Sequence, residues 1–205
     1  MKQICLLIFF TANLISAQKV VKKSIVNPEI TAINIDANNC FELFLDTADG
    51  SEMVLEATID GEYENDLVLT SKQQGRTIQV SSGFRPTFKN PNDKLSAHKV
   101  IAIALKIYVP ENKSVTIYGS NCNVTASGAY RKLNITSNDG KCTLNEVSGS
   151  IAVMTQSGHI LAYTKGGDIN AKSKYGIVES DKIPGNQDRY NLTSITGDIR
   201  IKKTE

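Results

Sequence analysis

The sequence predicts an all-β protein in which N-terminal antiparallel strands and a hairpin lead into a right-handed parallel β-solenoid of about five 18-residue coils. Three observations predict it: an apolar residue recurring every ninth position, a glycine column locked to that recurrence, and period-two alternation in the N-terminal half.

Counting by nines from Val115 gives Val124, Leu133, Cys142, Ile151, Ile160, Ile169 and Val178 without a polar exception, in a chain that is 40% hydrophobic. These are the expected inward core. A second apolar column lies two residues on, at Ile117, Ala126, Ile135, Leu144, Val153, Ala162 and Ala171, and breaks at Ser180. Apolar residues flanking one polar residue share a face of a short strand, so each unit is one inward-facing strand. Gly140, Gly149, Gly158, Gly167 and Gly176 each stand two residues before the next inward residue, where the chain must turn. A three-residue shift in the Asp181 to Asn186 loop restores the pattern, with Tyr190 and Leu192 inward, Gly197 at the turn, then Ile199 and Ile201. Nine residues do not close a coil, so two units form one. Val115, Leu133, Ile151 and Ile169 are then expected to stack on one side, and Val124, Cys142, Ile160 and Val178 on the other. The charged ending of Ile199-Arg200-Ile201-Lys202-Lys203 would protect the open end from further strand addition.

The earlier elements follow from local pattern. Met1-Lys2, the apolar run Ile4 to Phe10 and small residues before Gln18 have the layout of a secretory signal over residues 1–17, cut after Ala17. Its apolar core is far too short to span a bilayer, so no transmembrane segment is expected. Residues 18–110 read as a β-strand region continuous with a solenoid over residues 111–205. Alternation marks strands at Ile30 to Ile35, Phe41 to Leu45 and Met53 to Ile59. Leu67 to Leu69 and Thr77 to Val80 flank Lys72-Gln73-Gln74-Gly75-Arg76, a hairpin connection. Residues 83–98 turn polar around Pro86 and Pro91 and read as a long surface loop. Val100 to Val109 is a nearly continuous apolar run, a strand buried on both faces.

At these residues the chain resembles the auto-transporter adhesin head GIN-domain family and its adhesin-like parallel β-helical relatives. The resemblance rests on Gly50-Ser51-Glu52 and Asp60-Gly61-Glu62-Tyr63, the strand ending Tyr108-Val109-Pro110, and the serial Ser-Gly-x-Ile, Gly-Gly-Asp-Ile and Thr-Gly-Asp-Ile turns. It implies an extracytoplasmic β-helix with an adhesin-like role and supplies no catalytic residues.

Composition narrows function. Lys plus Arg number 23 against 21 Asp plus Glu, which argues against nucleic-acid partners. Six Phe, seven Tyr and no Trp suit a narrow aliphatic core. No catalytic, cofactor or metal site is expected. Two histidines, His98 and His159, and three exported cysteines, Cys40, Cys122 and Cys142, lack zinc spacing. The single Gly166-Gly167-Asp168 turn falls short of a calcium roll. Cys122 and Cys142 are diagonal neighbours that either form a disulfide or leave Cys142 as a small core residue.

The expected function is an exported, noncatalytic interaction module for an envelope, glycan or protein partner. The alternative is a structural protein that self-associates through solenoid ends or edges. Periplasmic, secreted and surface-associated placements all fit.

Overall fold

The computed structural model describes residues 19–61, 65–88 and 101–204, so the expected signal segment, His98 and residues 89–98 of the expected loop lie outside them. Every regular element among the described residues is a β-strand: β1 (Lys19–Val26), β2 (Ala32–Asp36), β3 (Glu42–Ala48), β4 (Glu52–Gly61), β5 (Leu67–Gln74), β6 (Thr77–Phe84), β7 (Ile101–Pro110), β8 (Ser114–Asn121), β9 (Asn123–Asp139), β10 (Cys142–Thr155), β11 (Ile160–Thr164), β12 (Asp168–Ser173), β13 (Val178–Ser180), β14 (Arg189–Ser194) and β15 (Ile199–Lys203). They form one mixed fifteen-stranded sheet.

One run of the sheet is β1-β4-β7-β3-β9-β10-β11-β15-β13; a second run is β5-β6-β2-β8-β9, continuing through β10 to β14 and β12. Both runs share the long strands β9 and β10. The expected hairpin is β5–β6, but Gln74 pairs with Thr77, so the turn is only Gly75-Arg76, with Gly75 at φ +60. Among the described residues, antiparallel pairing is confined to β1–β4, β4–β7 and β5–β6. Strands β2 and β3, expected in the antiparallel region, instead lie parallel to β6, β8, β7 and β9. Period-two alternation is identical for both directions of pairing, which is why the pattern misled there.

Within the C-terminal half Val115 pairs with Leu133 and Leu133 with Ile151, while Val124 pairs with Cys142 and Cys142 with Ile160, all in parallel. Side chains of these residues are at most 2% exposed. Then the order departs from the expectation. Ile151 pairs with Tyr190, and Ile169 lies on the far side of Tyr190. Likewise Ile160 pairs with Ile199, and Val178 lies beyond it. The last two strands of the chain, β14 and β15, are therefore inserted between β10–β11 and the outer layer β12–β13.

Local chemistry explains the insertion. Tyr190 and Ile199 carry the same inward pattern as Ile169 and Val178, and they are 2% and 0% exposed. The Tyr190 hydroxyl bonds the Val147 carbonyl and also Thr164 Oγ1 at 3.2 Å. Its ring lies where a Cβ on Gly167 would meet it at 2.9 Å, so the bulky side chain fits because glycine stands beside it. Asp188 Oδ1 accepts from Gly149 N–H at 2.7 Å, tying the incoming strand to β10. The displaced outer residues show the consequence: Ile169 is only partly buried and Val178 is 41% exposed.

A column of corners runs through these layers. A Cβ on Gly140 would lie 2.4 Å from the Cys122 carbonyl oxygen, on Gly158 2.1 Å from that of Gly140, on Gly197 2.2 Å from that of Gly158, and on Gly176 2.4 Å from that of Gly197. Glycine is required here by close approach of one turn to the next, and at Gly140 also by a φ of +93. Three residues before these glycines stand Ser137, Thr155, Ser194 and Ser173, a hydroxyl column absent from the expectations. Thr155 Oγ1 donates to Gly158 O at 2.6 Å, and the Ser194 and Ser173 hydroxyls accept from Gly197 and Gly176 N–H at 2.9 and 3.0 Å. Each corner thus satisfies buried backbone groups with its own side chain.

Gly158→Ala is expected to lower unfolding free energy by about 1–3 kcal/mol, because the added methyl overlaps a fixed carbonyl. Gly185→Ala, with open space around its Cα, should change it by about 0.5 kcal/mol or less. Guanidinium midpoints of the two variants check this.

Candidate functional site

Inward residues fill the core, so recognition chemistry must come from the alternate, outward residues. On the first run of the sheet, Phe44 pairs with Lys106 on β7 and with Thr125 on β9, and Asp46 pairs with Tyr108. These residues and Ser127 line a shallow hollow of about 350 Å³. Phe44 is 36% exposed and Tyr108 41%, each facing outward between two buried residues, Leu43 and Leu45 or Ile107 and Val109. The two rings lie on diagonal positions, with Lys106 and Asp46 on the other diagonal. Two apolar ring surfaces are thus framed by one cation, one anion and two hydroxyls.

The second run presents a different face. Its outward row reads Asn34, Thr116, Asn134, Ala152, Asn191 and Asn170 across successive paired strands. The adjoining row contains Tyr118, Thr136, Met154 and Thr193. A hollow of about 290 Å³ lies over them where Ala152 interrupts the larger side chains. Its lining is uncharged.

His159 comes to a place the linear sequence could not reveal, since the inserted β15 layer brings Asp198 beside it. The Asp198 backbone N–H donates to His159 Nδ1 at 3.0 Å. The Asp198 carboxylate lies 3.9 Å from the same nitrogen, beyond the hydrogen-bond distance at which a carboxylate orients a catalytic base. Asp198 is otherwise occupied structurally, accepting from Ile177 N–H at 2.9 Å and facing Arg200 at 3.8 Å. Among the described residues, no group of three His, Cys, Asp or Glu side chains is arranged to hold a metal ion.

Two constraints act on the expected turn glycines: Gly140, Gly149 and Gly167 have positive φ, and Gly140, Gly149, Gly158, Gly176 and Gly197 each approach a neighbouring backbone carbonyl too closely for a Cβ. Cys40, Cys122 and Cys142 are buried free thiols in this structure, Cys142 within the strand ladder and Cys122 at the corner. Burial pushes the Cys142 thiol up to about 12.

No family model matches the sequence, and no curated protein matches it. A solved structure shares the fold. A candidate cell adhesion protein from Clostridium sporogenes superposes with a TM-score of 0.64 at 16% identity, over 92% of this chain and 100% of that one. A candidate adhesin from Bacteroides fragilis gives a TM-score of 0.38 at 12% identity, over 92% and 99% of the two chains. A candidate lipid-binding protein from Parabacteroides distasonis gives 0.29 at 14% identity, over 91% and 97%. No helix among the described residues is long and apolar enough to cross a membrane.

The aromatic hollow is expected to be separable from the fold. Phe44→Ala and Tyr108→Ala should each alter stability by about 0.5 kcal/mol or less, whereas Leu45→Ala, at a site 1% exposed, should cost about 2–5 kcal/mol. Equilibrium denaturation distinguishes the two sets.

Proposed function

We propose that this chain is an exported, noncatalytic, adhesin-like module that uses the outward face of a parallel β-solenoid to bind a surface glycan. The carrying observation is the exposed Phe44 and Tyr108 pair framed by Asp46, Lys106, Thr125 and Ser127. Sugar rings combine apolar C–H faces with hydroxyl edges, so flat rings flanked by charged and hydroxyl partners suit them. The reading places a signal over residues 1–17, strands over 18–110 and the remaining coils over 111–205, in the manner of the GIN-domain adhesin heads. The parallel registers support successive coils, and the pairing of β2 and β3 with β8 and β9 supports continuity between the two regions. Placement outside the cytoplasm, in the periplasm or at the surface, accords with this role.

A glycan array probed with the mature chain is expected to give discrete binding that falls at least about tenfold in Phe44→Ala and Tyr108→Ala, the loss of roughly 1.4 kcal/mol or more. Binding that survives both substitutions unchanged would contradict this site.

A second reading, assembly through the solenoid end, is favoured by one observation. Tyr175, Ile177 and Val178 are 70%, 61% and 41% exposed on or beside the outer layer. Sedimentation across a concentration series should show oligomers under this reading and a monomer at every concentration under the first alone.

A further inference from the structure

We propose that Cys40 and Cys122 are an oxidisable pair that closes to a disulfide between two neighbouring layers of the fold, leaving Cys142 as a free core thiol. The pairing differs from the Cys122–Cys142 bridge that sequence spacing suggests, and it follows from the corner geometry.

The turn from β2 to β3 and the turn from β8 to β9 lie one above the other. Asp36 pairs with Tyr118 at the last step of the β2–β8 ladder. Beyond it the same register continues through the corner: Ala37 N–H donates to Tyr118 O at 2.7 Å, and Ser120 Oγ donates to Asn38 Oδ1 at 2.8 Å, across 82 residues. At that offset Cys40 stands level with Cys122, and the β2–β3 turn then holds one residue more than the β8–β9 turn, since the next ladder opens at Glu42 paired with Asn123. The chain on either side is fixed, since Asn123 N–H donates to Phe41 O at 2.9 Å where the β3–β9 ladder begins. Adjacent strands lie about 4.8 Å apart, within the Cα separations that disulfides span.

Both side chains point into the corner. Cys40 is 5% exposed and Cys122 1%. The Cys40 thiol is 3.2 Å from Ser82 Oγ in the layer of β6. A Cβ on Gly119 would fall 3.3 Å from Cys122 Cβ and 3.8 Å from Ala37 Cβ, so Cys122 and Ala37 pack in the same corner, with Cys122 Sγ 3.6 Å from the Asn123 carbonyl oxygen. Burial pushes the Cys122 thiol up to about 12, and the next largest cause is the charge of Cys40, as expected of sulfurs that share one corner. Burial likewise holds the Cys40 thiol up at about 11.

Cys142 is placed otherwise. It pairs with Val124 and Ile160 within the strand ladder, and the corner position above Cys122 is Gly140, whose Cα packs on the Cys122 carbonyl. Cys142 therefore belongs to the aliphatic column and not to the corner.

Closure removes one proton and one electron from each thiol and forms one S–S bond. An oxidised disulfide reagent such as glutathione disulfide accepts both electrons and leaves as two thiols. Because thiolate is the attacking species and burial suppresses it here, exchange should be slow in the folded chain and faster during folding. The oxidising setting rests on the proposed export, whereas the pairing itself is tested on the purified chain and is independent of any glycan result.

The reduced, unfolded mature chain is refolded in a mixed glutathione buffer, its remaining thiols are alkylated, and unreduced peptides are mapped by mass spectrometry. The expected product links Cys40 to Cys122 and carries the alkyl tag only on Cys142. The linked chain should also unfold at a higher guanidinium midpoint than the same sample after reduction, because the bridge restrains the unfolded state. Cys142→Ala should retain the linkage, and Cys40→Ser should leave Cys122 tagged. A Cys122–Cys142 or Cys40–Cys142 linkage, or three tagged thiols in a chain that has regained its native β-sheet circular dichroism, would overturn the proposal.

Discussion

The architecture depends on how closely one turn approaches the next. Along the corner from Cys122 through Gly140, Gly158 and Gly197 to Gly176, each glycine Cα sits against the preceding carbonyl, with no room for a Cβ. That contact fixes the spacing and register of the layers. Once the corner is fixed, the period-two geometry of each strand sends alternate side chains inward to the aliphatic columns and outward to solvent. The hydroxyls of Thr155, Ser173 and Ser194 complete the corners by bonding the same turns. Without those bonds, backbone groups buried at each bend would have no water to replace them.

Much of this was legible in the sequence, and the reason is physical. A nine-residue beat reports which residues share a column, and Val115, Val124, Leu133, Cys142, Ile151, Ile160, Tyr190 and Ile199 are buried, whereas Ile169 is only partly so and Val178 is 41% exposed. It does not report which layer neighbours which. Ile169 and Tyr190 both satisfy the column under Ile151, and the choice is made by side-chain bonds of Tyr190 and Asp188 with distant partners. The hydroxyl column was equally legible, since Ser137, Thr155 and Ser173 precede their glycines by a constant three residues. Serine and threonine are so often solvent-facing that their recurrence carried no apolar signal. Strand direction in the N-terminal half was hidden for a different reason, because alternation is blind to it.

The candidate site was hardly legible at all. Phe44 and Tyr108 come from strands far apart in sequence, and only the parallel pairing of β3 with β7 makes them diagonal neighbours. Each looked like an ordinary member of an apolar run. The signal that could have marked them is parity: Leu43, Leu45, Ile107 and Val109 face inward, so a ring between two such residues must face out. The Asp198 contact of His159 was likewise beyond reach, because it depends on where β15 inserts. Function in such a fold lies on the faces that the repeat leaves free.

The insertion of β14 and β15 beneath the outer layer is the central structural claim, and amide hydrogen exchange tests it most directly. Strands paired on both sides exchange through larger openings than strands at an edge. Amides of residues 189–203 are expected to be strongly protected although they follow 168–180 in sequence, whereas those of 168–180 are expected to exchange early. Early exchange of 189–203 with strong protection of 168–180 would instead show layers stacked in chain order and would contradict it.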